Sequence, residues 1–236
     1  MKKIIATLLI YAGICVVNSS AQTVLLQVDR GKDTIPSQRG PNLKKFSYGF
    51  LYFGCISGAD KAGTRIMYGP SVDFGGGARK KYKISPLYSL GWDLELSGKI
   101  FKLKQEREKI FPDTLINKAE RMEYVSTGLS FFNRFNFDTH RGNFMGTFLD
   151  LGIRGSWNFS ITHVIKNDLP DGSSVKSQVT SLPYTNDFSS DAFARLGRNH
   201  FSLYATYRVT DLFKPSYHYP ELPALSFGID AGIFSY

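Results

Sequence analysis

The chain has 236 residues and a formal net charge of +9; 42% of its residues are hydrophobic, 14% aromatic and 21% charged. Its 19 phenylalanines and 13 tyrosines exclude a disordered chain, because such chains are poor in aromatic residues. A polytopic helical membrane protein is excluded as well, since it needs several apolar runs of about 20 residues, which this chain lacks.

The first 21 residues have the form of a secretory signal peptide. Residues 1–3 include two lysines, and residues 4–17 form an apolar segment of about 14 residues, which is short for a membrane-spanning helix. Ser19 and Ala21 then occupy the small-residue positions of a cleavage site. The sequence therefore predicts export and cleavage after Ala21, with an N-terminal anchor as the alternative.

Residues 22–43 precede the first predicted strand, and we expect them to form a periplasmic N-terminal arm. Apolar residues cluster at 24–28, whereas residues 29–41 are polar and rich in turn-forming types. Two interpretations stay open for this arm. It pairs with a partner or tucks into the mouth of the following domain, or it is a flexible tail.

Alternation of apolar and polar residues dominates the rest of the chain. Between residues 88 and 100, even positions carry mostly Tyr, Leu, Trp and Ile, while odd positions carry Ser, Gly, Asp, Glu and Lys. A period of two over this length is typical of a strand with one apolar and one polar face. The segments predicted as strands are 46–55, 65–75, 86–103, 120–137, 144–163, 198–210 and 224–236.

Such strands fit a soluble barrel with an apolar interior or a transmembrane barrel whose apolar face meets lipid. Their length of about 10 to 18 residues favours the transmembrane barrel, since strands of soluble proteins are usually shorter. A polar face rich in glycine and serine also suits a narrow lumen. Aromatic residues near the strand ends fit interfacial girdles: Tyr88, Trp92, Phe135, Phe137, Trp157 and Tyr207. The soluble β-barrel remains the alternative.

Bacterial single-chain barrels have an even number of strands, so the predicted segments require one more. The best candidate is 174–182, which follows the turn signal Asn167–Gly172. The sequence thus predicts an all-β protein, an antiparallel transmembrane β-barrel of eight strands over residues 44–236, with ten strands as the alternative. The predicted outer loops are 56–64, 104–119, 164–173 and 211–223, and the segment 138–143 is a predicted periplasmic turn.

The last strand ends in alternating aromatic residues, Phe234 and Tyr236, which we interpret as a signal read by the barrel-assembly machinery. Together with the lysine-led signal peptide and the segments 203–214 and 220–232, this ending resembles the Bacteroidetes outer-membrane β-barrel family termed PorT-like or "porin family". The resemblance implies an outer-membrane barrel and no catalytic residue. One branch of that family is associated with a secretion system, a role that the resemblance does not extend to this chain.

Charged residues on the polar faces of the strands are the candidate functional residues. Because an eight-stranded barrel is filled by its own side chains and buried charges need partners, we expect them to form a lumen network. A conducting or substrate-binding lumen and a catalytic site are the alternatives. The predicted lumen residues are Asp93, Glu95, Arg134, Asp150, Arg154, Arg208 and Asp230.

Two other features invite a functional interpretation. His163 near Ser160, and His218 in the last outer loop, would suit a lipid-modifying enzyme, but no nucleophile or zinc motif accompanies them, so we interpret them as loop or interface residues. The segment Gly75–Lys81 lacks the spacing of a phosphate-binding loop and is interpreted as a turn with a basic rim.

The sequence-based prediction is an outer-membrane β-barrel protein with a structural, assembly or secretion-complex role and no catalytic activity. A narrow channel or small-ligand uptake barrel is the second hypothesis, and an outer-membrane lipid-modifying enzyme is the third. The expected partners are outer-membrane lipid and lipopolysaccharide, the barrel-assembly machinery and other envelope or secretion-complex proteins. No nucleic acid, cofactor or metal is expected.

Overall fold

Antiparallel strands make up nearly all the regular structure of the described residues, 39–58, 63–138, 141–169 and 172–234 of a computed structural model. The strands are β1 (Lys45–Ser57), β2 (Val72–Lys83), β3 (Tyr88–Leu103), β4 (Ala119–Asn136), β5 (Thr147–Asp168), β6 (Ser174–Thr180), β7 (Phe188–Arg198), β8 (Phe201–Arg208) and β9 (Leu225–Ile233). In this part of the chain, no helix is both long and apolar enough to cross a membrane.

Eight of the strands close into a barrel, in the order β1–β2–β3–β4–β5–β7–β8–β9, and β9 pairs back onto β1. The all-β, eight-stranded prediction is therefore confirmed. Because neighbouring strands are antiparallel, successive connections alternate between the two ends of the barrel, and the two ends differ in the length of their connections. We call them the short-turn end, with connections 84–87, 137–146 and 199–200, and the long-loop end, with connections 58–71, 104–118, 169–187 and 209–224.

The exterior of the barrel is apolar and its interior is polar. On β3, Leu94 and Leu96 are 54% and 57% exposed, whereas the intervening Asp93 and Glu95 are buried. Other strands repeat this arrangement, with large apolar side chains on the outside. Examples are Leu51, Phe53, Leu129, Phe131, Leu151, Ile153, Leu196, Leu203, Phe227 and Ile229. A soluble barrel has the opposite arrangement, because its core is apolar and its surface meets water.

The eighth barrel strand is not the predicted one. Residues 174–180 do form a strand, but β6 pairs only with residues 162–168 of β5, at the long-loop end. All residues of β6 are exposed. The eighth strand of the barrel is β7, which the sequence analysis did not predict. Phe193 faces inward and Ser190 outward there, so the alternation of polar and apolar residues on which the prediction depended is weak. The predicted strand 198–210 begins instead at Phe201, since Asn199 adopts a left-handed conformation in the turn before it.

The second strand also differs from the prediction of 65–75. Strand β2 covers Val72–Lys83, so the segment Gly75–Lys81 is not a turn but the middle of a strand. Its glycines are required by the close approach of the neighbouring strands: a Cβ atom on Gly77 would lie 2.0 Å from the carbonyl oxygen of Leu94 in β3, and one on Gly76 would lie 2.7 Å from that of Phe50 in β1. Arg79 and Lys81 consequently point into the barrel and are buried.

A bulge between β4 and β5 changes which side chains enter the barrel. The register shifts at Val125/Ser126, and beyond it Ile161 and His163 face inward. In the sequence, Ile161 continues the apolar alternation of Ile153, Trp157 and Phe159, but it faces inward and Ser160 outward, because one extra residue in a strand exchanges its two faces.

Apolar clusters close both ends of the lumen. At the long-loop end, side chains of the loops pack against inward side chains of the strands. This cluster comprises Ile56, Ile66, Phe101, Leu103, Phe111, Met122, Tyr124, Ile161, Leu182, Leu212, Phe213 and Leu222. At the short-turn end, Tyr48, Met145 and Phe148 form a smaller cluster. Asn42 lies beside it and donates hydrogen bonds to the carbonyl oxygens of Gly142 and Phe144.

Candidate functional site

The interior of the barrel holds the seven predicted lumen residues. All of them are at most 8% exposed. Six belong to three stacked layers of contacts, and the seventh, Arg208, is the cross-strand neighbour of Asp191 in one of these layers. Arg208 donates to Glu221 of the last long loop at 2.9 Å and to the carbonyl oxygen of Leu222 at 2.8 Å.

A central cluster of two arginines and two aspartates crosses the lumen. Arg79 donates to Asp93 through Nε at 2.9 Å and to Asp230 through Nη2 at 2.8 Å. Arg195 donates through Nη1 to the other oxygen of Asp93 at 2.7 Å. The two positive and two negative charges balance, as a buried cluster requires.

A second layer lies toward the short-turn end. Arg134 binds both carboxylate oxygens of Asp150, at 2.6 and 2.7 Å, and neither side chain has measurable exposure. The same guanidinium donates to the hydroxyl of Tyr48 at 3.2 Å. Nε of Arg195 lies 3.3 Å from Asp150 without hydrogen-bond alignment, so the two layers are adjacent.

A third layer lies toward the long-loop end. Arg154 pairs with Glu95 at 2.9 Å, and Glu95 also accepts a hydrogen bond from Tyr52 at 3.4 Å. Asp191 lies 4.0 Å from Arg154 and 3.5 Å from Lys99. The positive charges of this layer again face carboxylates.

Aromatic rings fill the space between these layers. The guanidinium of Arg79 lies 4.1 Å from the ring centre of Phe50, and that of Arg134 lies 3.8 Å from Phe148. Arg195 lies 4.7 Å from Phe132. Cations over aromatic faces gain further electrostatic stabilisation. The interior is therefore a packed arrangement of charges and rings.

Sequence reasoning missed several interior charges, chiefly Arg79, Lys81, Asp191 and Arg195. All four lie on the strands that were misplaced or missed, β2 and β7. A signal was present, because polar and glycine residues recur at every second position from 73 to 81.

The long-loop end is closed by stacked aromatic rings. Phe111 is fully buried, with ring centres 4.3 Å from Phe213, 5.0 Å from Tyr219 and 5.7 Å from Tyr184. Burial raises the pKa of Tyr184 well above its usual value, so this hydroxyl stays neutral. The loops thus place an apolar cap over the charged interior.

At the short-turn end, Arg141 lies in the connection between β4 and β5. It donates to the carbonyl oxygens of Pro86 at 2.9 Å and Met145 at 3.3 Å. Burial, together with the positive charge of Arg134, lowers the pKa of Arg141 to about 10, so it stays charged at neutral pH. This side chain ties two short turns together.

The two histidines of the enzyme hypothesis lie in different environments, His163 buried in the barrel and His218 on the surface. His163 Nε2 lies 2.6 Å from Glu120, which also pairs with Lys109 at 2.5 Å, whereas Ser160 faces the opposite side of β5. His218 is exposed in the last long loop. Among the described residues, no hydroxyl or thiol side chain hydrogen-bonds to His163, and no group of His, Cys, Asp and Glu could hold a metal ion.

Of the two aromatic residues in the predicted assembly signal, the structure describes Phe234. Phe234 packs at the short-turn end, with its ring centre 5.0 Å from Tyr48 and 4.2 Å from His200. Tyr236 and residues 1–38, with the signal peptide and most of the arm, lie outside the described residues.

These features define a class: a closed eight-stranded antiparallel β-barrel with an apolar exterior and an ion-paired interior. No protein-family model matches the chain, and a search of curated proteins found no significant relative.

Proposed function

We propose that the chain is an integral β-barrel protein of the bacterial outer membrane, with a structural, assembly or secretion-complex role and no catalytic activity. The observation that carries this proposal is the reversed polarity of the barrel, apolar outside and ion-paired inside. Lipid offers no hydrogen-bond partners to the backbone, and a closed barrel pairs the backbone groups of its strands with one another. A belt of apolar side chains on the outside is favourable only against lipid.

The lengths of the connections support an orientation. Outer-membrane barrels have short periplasmic turns and longer external loops. The long-loop end would then face outward, and the short-turn end, where Phe234 lies, would face the periplasm. The barrel-assembly machinery would read the terminal aromatic residues there.

A closed lumen favours a scaffold over a channel. Three layers of paired charges and the aromatic cap around Phe111 occupy the path that a solute would take. With this filling, the external loops and the periplasmic arm become the surfaces for partner proteins.

Two measurements test the barrel and its closure. Unboiled protein extracted from membranes should migrate differently from boiled protein in an SDS gel, as folded outer-membrane barrels do. In planar bilayers the folded protein should give no stable, large conductance. Equal mobility before and after boiling would contradict the membrane barrel, and a large steady conductance would contradict the closed scaffold.

Affinity isolation from native membranes in mild detergent tests the role in a complex. We expect other envelope proteins to co-purify with the tagged chain and to be lost when the long loop 104–118 is shortened. Isolation of the barrel alone would contradict the complex-component proposal.

A further inference from the structure

Four basic side chains gather on the exterior of the barrel at the long-loop end. Strands β3 to β6 form a continuous sheet there, and these side chains lie on its outward face in two neighbouring rows. We call this set the basic face; its members are Lys102, Arg121, Lys166 and Lys176.

The register places like charges directly opposite one another. Lys102 on β3 is paired with Arg121 on β4, and Lys166 on β5 is paired with Lys176 on β6. Like charges at directly opposite positions of antiparallel strands destabilise the pairing. Two such pairs side by side therefore need anions from elsewhere.

The protein supplies little negative charge to this face. Glu123 pairs with Arg121 at 2.5 Å, and Asp168 pairs with Lys118 in the row above. Within the described parts of the chain, no ion pair engages Lys102, Lys166 or Lys176. Four basic side chains, with Lys118 above them, thus meet two carboxylates on this surface, Glu123 and Asp168, so positive charge is in excess.

The basic side chains surround a depression of about 480 Å³ whose floor is apolar. Pro70, Ile100, Ala119 and the buried Val164 line it together with the basic face. Glu120 also borders it, but its carboxylate is buried and pairs with Lys109 and His163. One row below Glu123 the exterior becomes apolar at Val125, where the belt of exposed hydrophobic side chains begins. Positive charge therefore lies at the edge of the apolar belt.

We propose that the basic face binds the phosphate groups of an anionic lipid in the outer leaflet, whose acyl chains lie along the apolar belt below. The proposal rests on the proposed outer-membrane location. The occupant is a lipid and not free phosphate, because the apolar floor and the apolar belt below it offer contacts to acyl chains that free phosphate lacks. Strand β6, which takes no part in closing the barrel, supplies Lys176 to this site.

The test compares the triple variant Lys102→Gln, Lys166→Gln, Lys176→Gln with the wild-type barrel in detergent. Native mass spectrometry would follow titrations with bisphosphorylated lipid A, dephosphorylated lipid A and inorganic phosphate. Each basic side chain near an anionic lipid strengthens binding about fivefold, so the triple variant should bind phosphorylated lipid A about 100-fold more weakly.

A matched control removes three lysines at the other end of the barrel, Lys44→Gln, Lys45→Gln and Lys80→Gln, and should bind phosphorylated lipid A as the wild type does. Glu123→Gln removes the competing carboxylate and should tighten binding about fivefold.

Equal binding of phosphorylated lipid A by the triple variant and the wild type would overturn the site. So would equally tight binding of the dephosphorylated lipid, and binding of inorganic phosphate as tight as that of the lipid would overturn the lipid as the occupant. Heat-modifiable mobility separates this inference from the proposed function. A wild-type chain without it would refute the membrane barrel and this site together, whereas a folded barrel without phosphate-dependent binding would refute the site alone.

Discussion

Arg195 donates a 2.7 Å hydrogen bond to Asp93 across the lumen, although 102 positions separate the two residues in the chain. Their strands, β7 and β3, are not neighbours in the barrel. The contact therefore joins opposite walls. Because both groups are buried, their attraction is only weakly screened, and each depends on the other to offset the loss of hydration.

The first prediction concerns the aspartate at the centre of this contact. Asp93→Asn keeps the size of the side chain but removes the charge that faces Arg79 and Arg195. Leaving buried arginines short of a counter-charge should lower the free energy of unfolding by about 3 kcal/mol. Urea unfolding of the barrel in lipid vesicles measures this change.

The control for this prediction is Asp211→Asn, in the exposed loop after β8. Its free energy of unfolding should match that of the wild type, because surface substitutions of this kind have small effects. Equal stability of both variants would show that the central cluster does not hold the barrel walls together.

The second prediction is a strong coupling between Arg134 and Asp150. Arg134→Gln and Asp150→Asn each leave one buried charge without its bidentate partner. Each should destabilise the barrel by about 3 kcal/mol, while the double variant should cost less than the sum by about 2 kcal/mol. A double-mutant cycle in urea measures the coupling, and additive effects would contradict it.

The third prediction concerns the spacing of β2 and β3. On Gly77 a Cβ atom would lie 2.0 Å from the carbonyl oxygen of Leu94, whereas on Gly155 it would meet nothing within 4 Å. Gly77→Ala should therefore cost at least about 1–3 kcal/mol through backbone displacement, and Gly155→Ala should be tolerated. Refolding yield into vesicles and urea unfolding measure both, and equal stability of the two variants would refute the close approach.

Alternation predicted the strands whose two faces differ strongly in polarity. In β3, Leu94 and Leu96 alternate with Asp93 and Glu95, so period and faces were readable from the sequence. In β2 and β7 the outward residues are often Gly, Ala or Ser, and Phe193 faces inward, so the contrast disappears. The number of strands was predictable from the even-number rule, but the identity of the eighth strand was not.

The candidate site was predictable only as a set of charges. Which acid meets which base depends on barrel closure, which brings Asp93 of β3 to Arg195 of β7. The bulge near Val125 has no evident sequence signal, yet it decides that His163 faces inward and Ser160 outward. Likewise, the basic face is completed by β6, which turns back along β5 and brings Lys176 opposite Lys166.

The last prediction concerns the aromatic cap. Phe111 is fully buried between Phe213 and Tyr219, so Phe111→Ala should cost about 3–5 kcal/mol and loosen the loops over the long-loop end. Limited proteolysis of the folded barrel should then cut the segment 209–224 faster. The matched control, Ile116→Ala in the same loop, removes a side chain that is 59% exposed and should leave the cleavage rate unchanged. Equal cleavage rates in both variants would show that the buried ring of Phe111 does not hold the loops in place over the lumen.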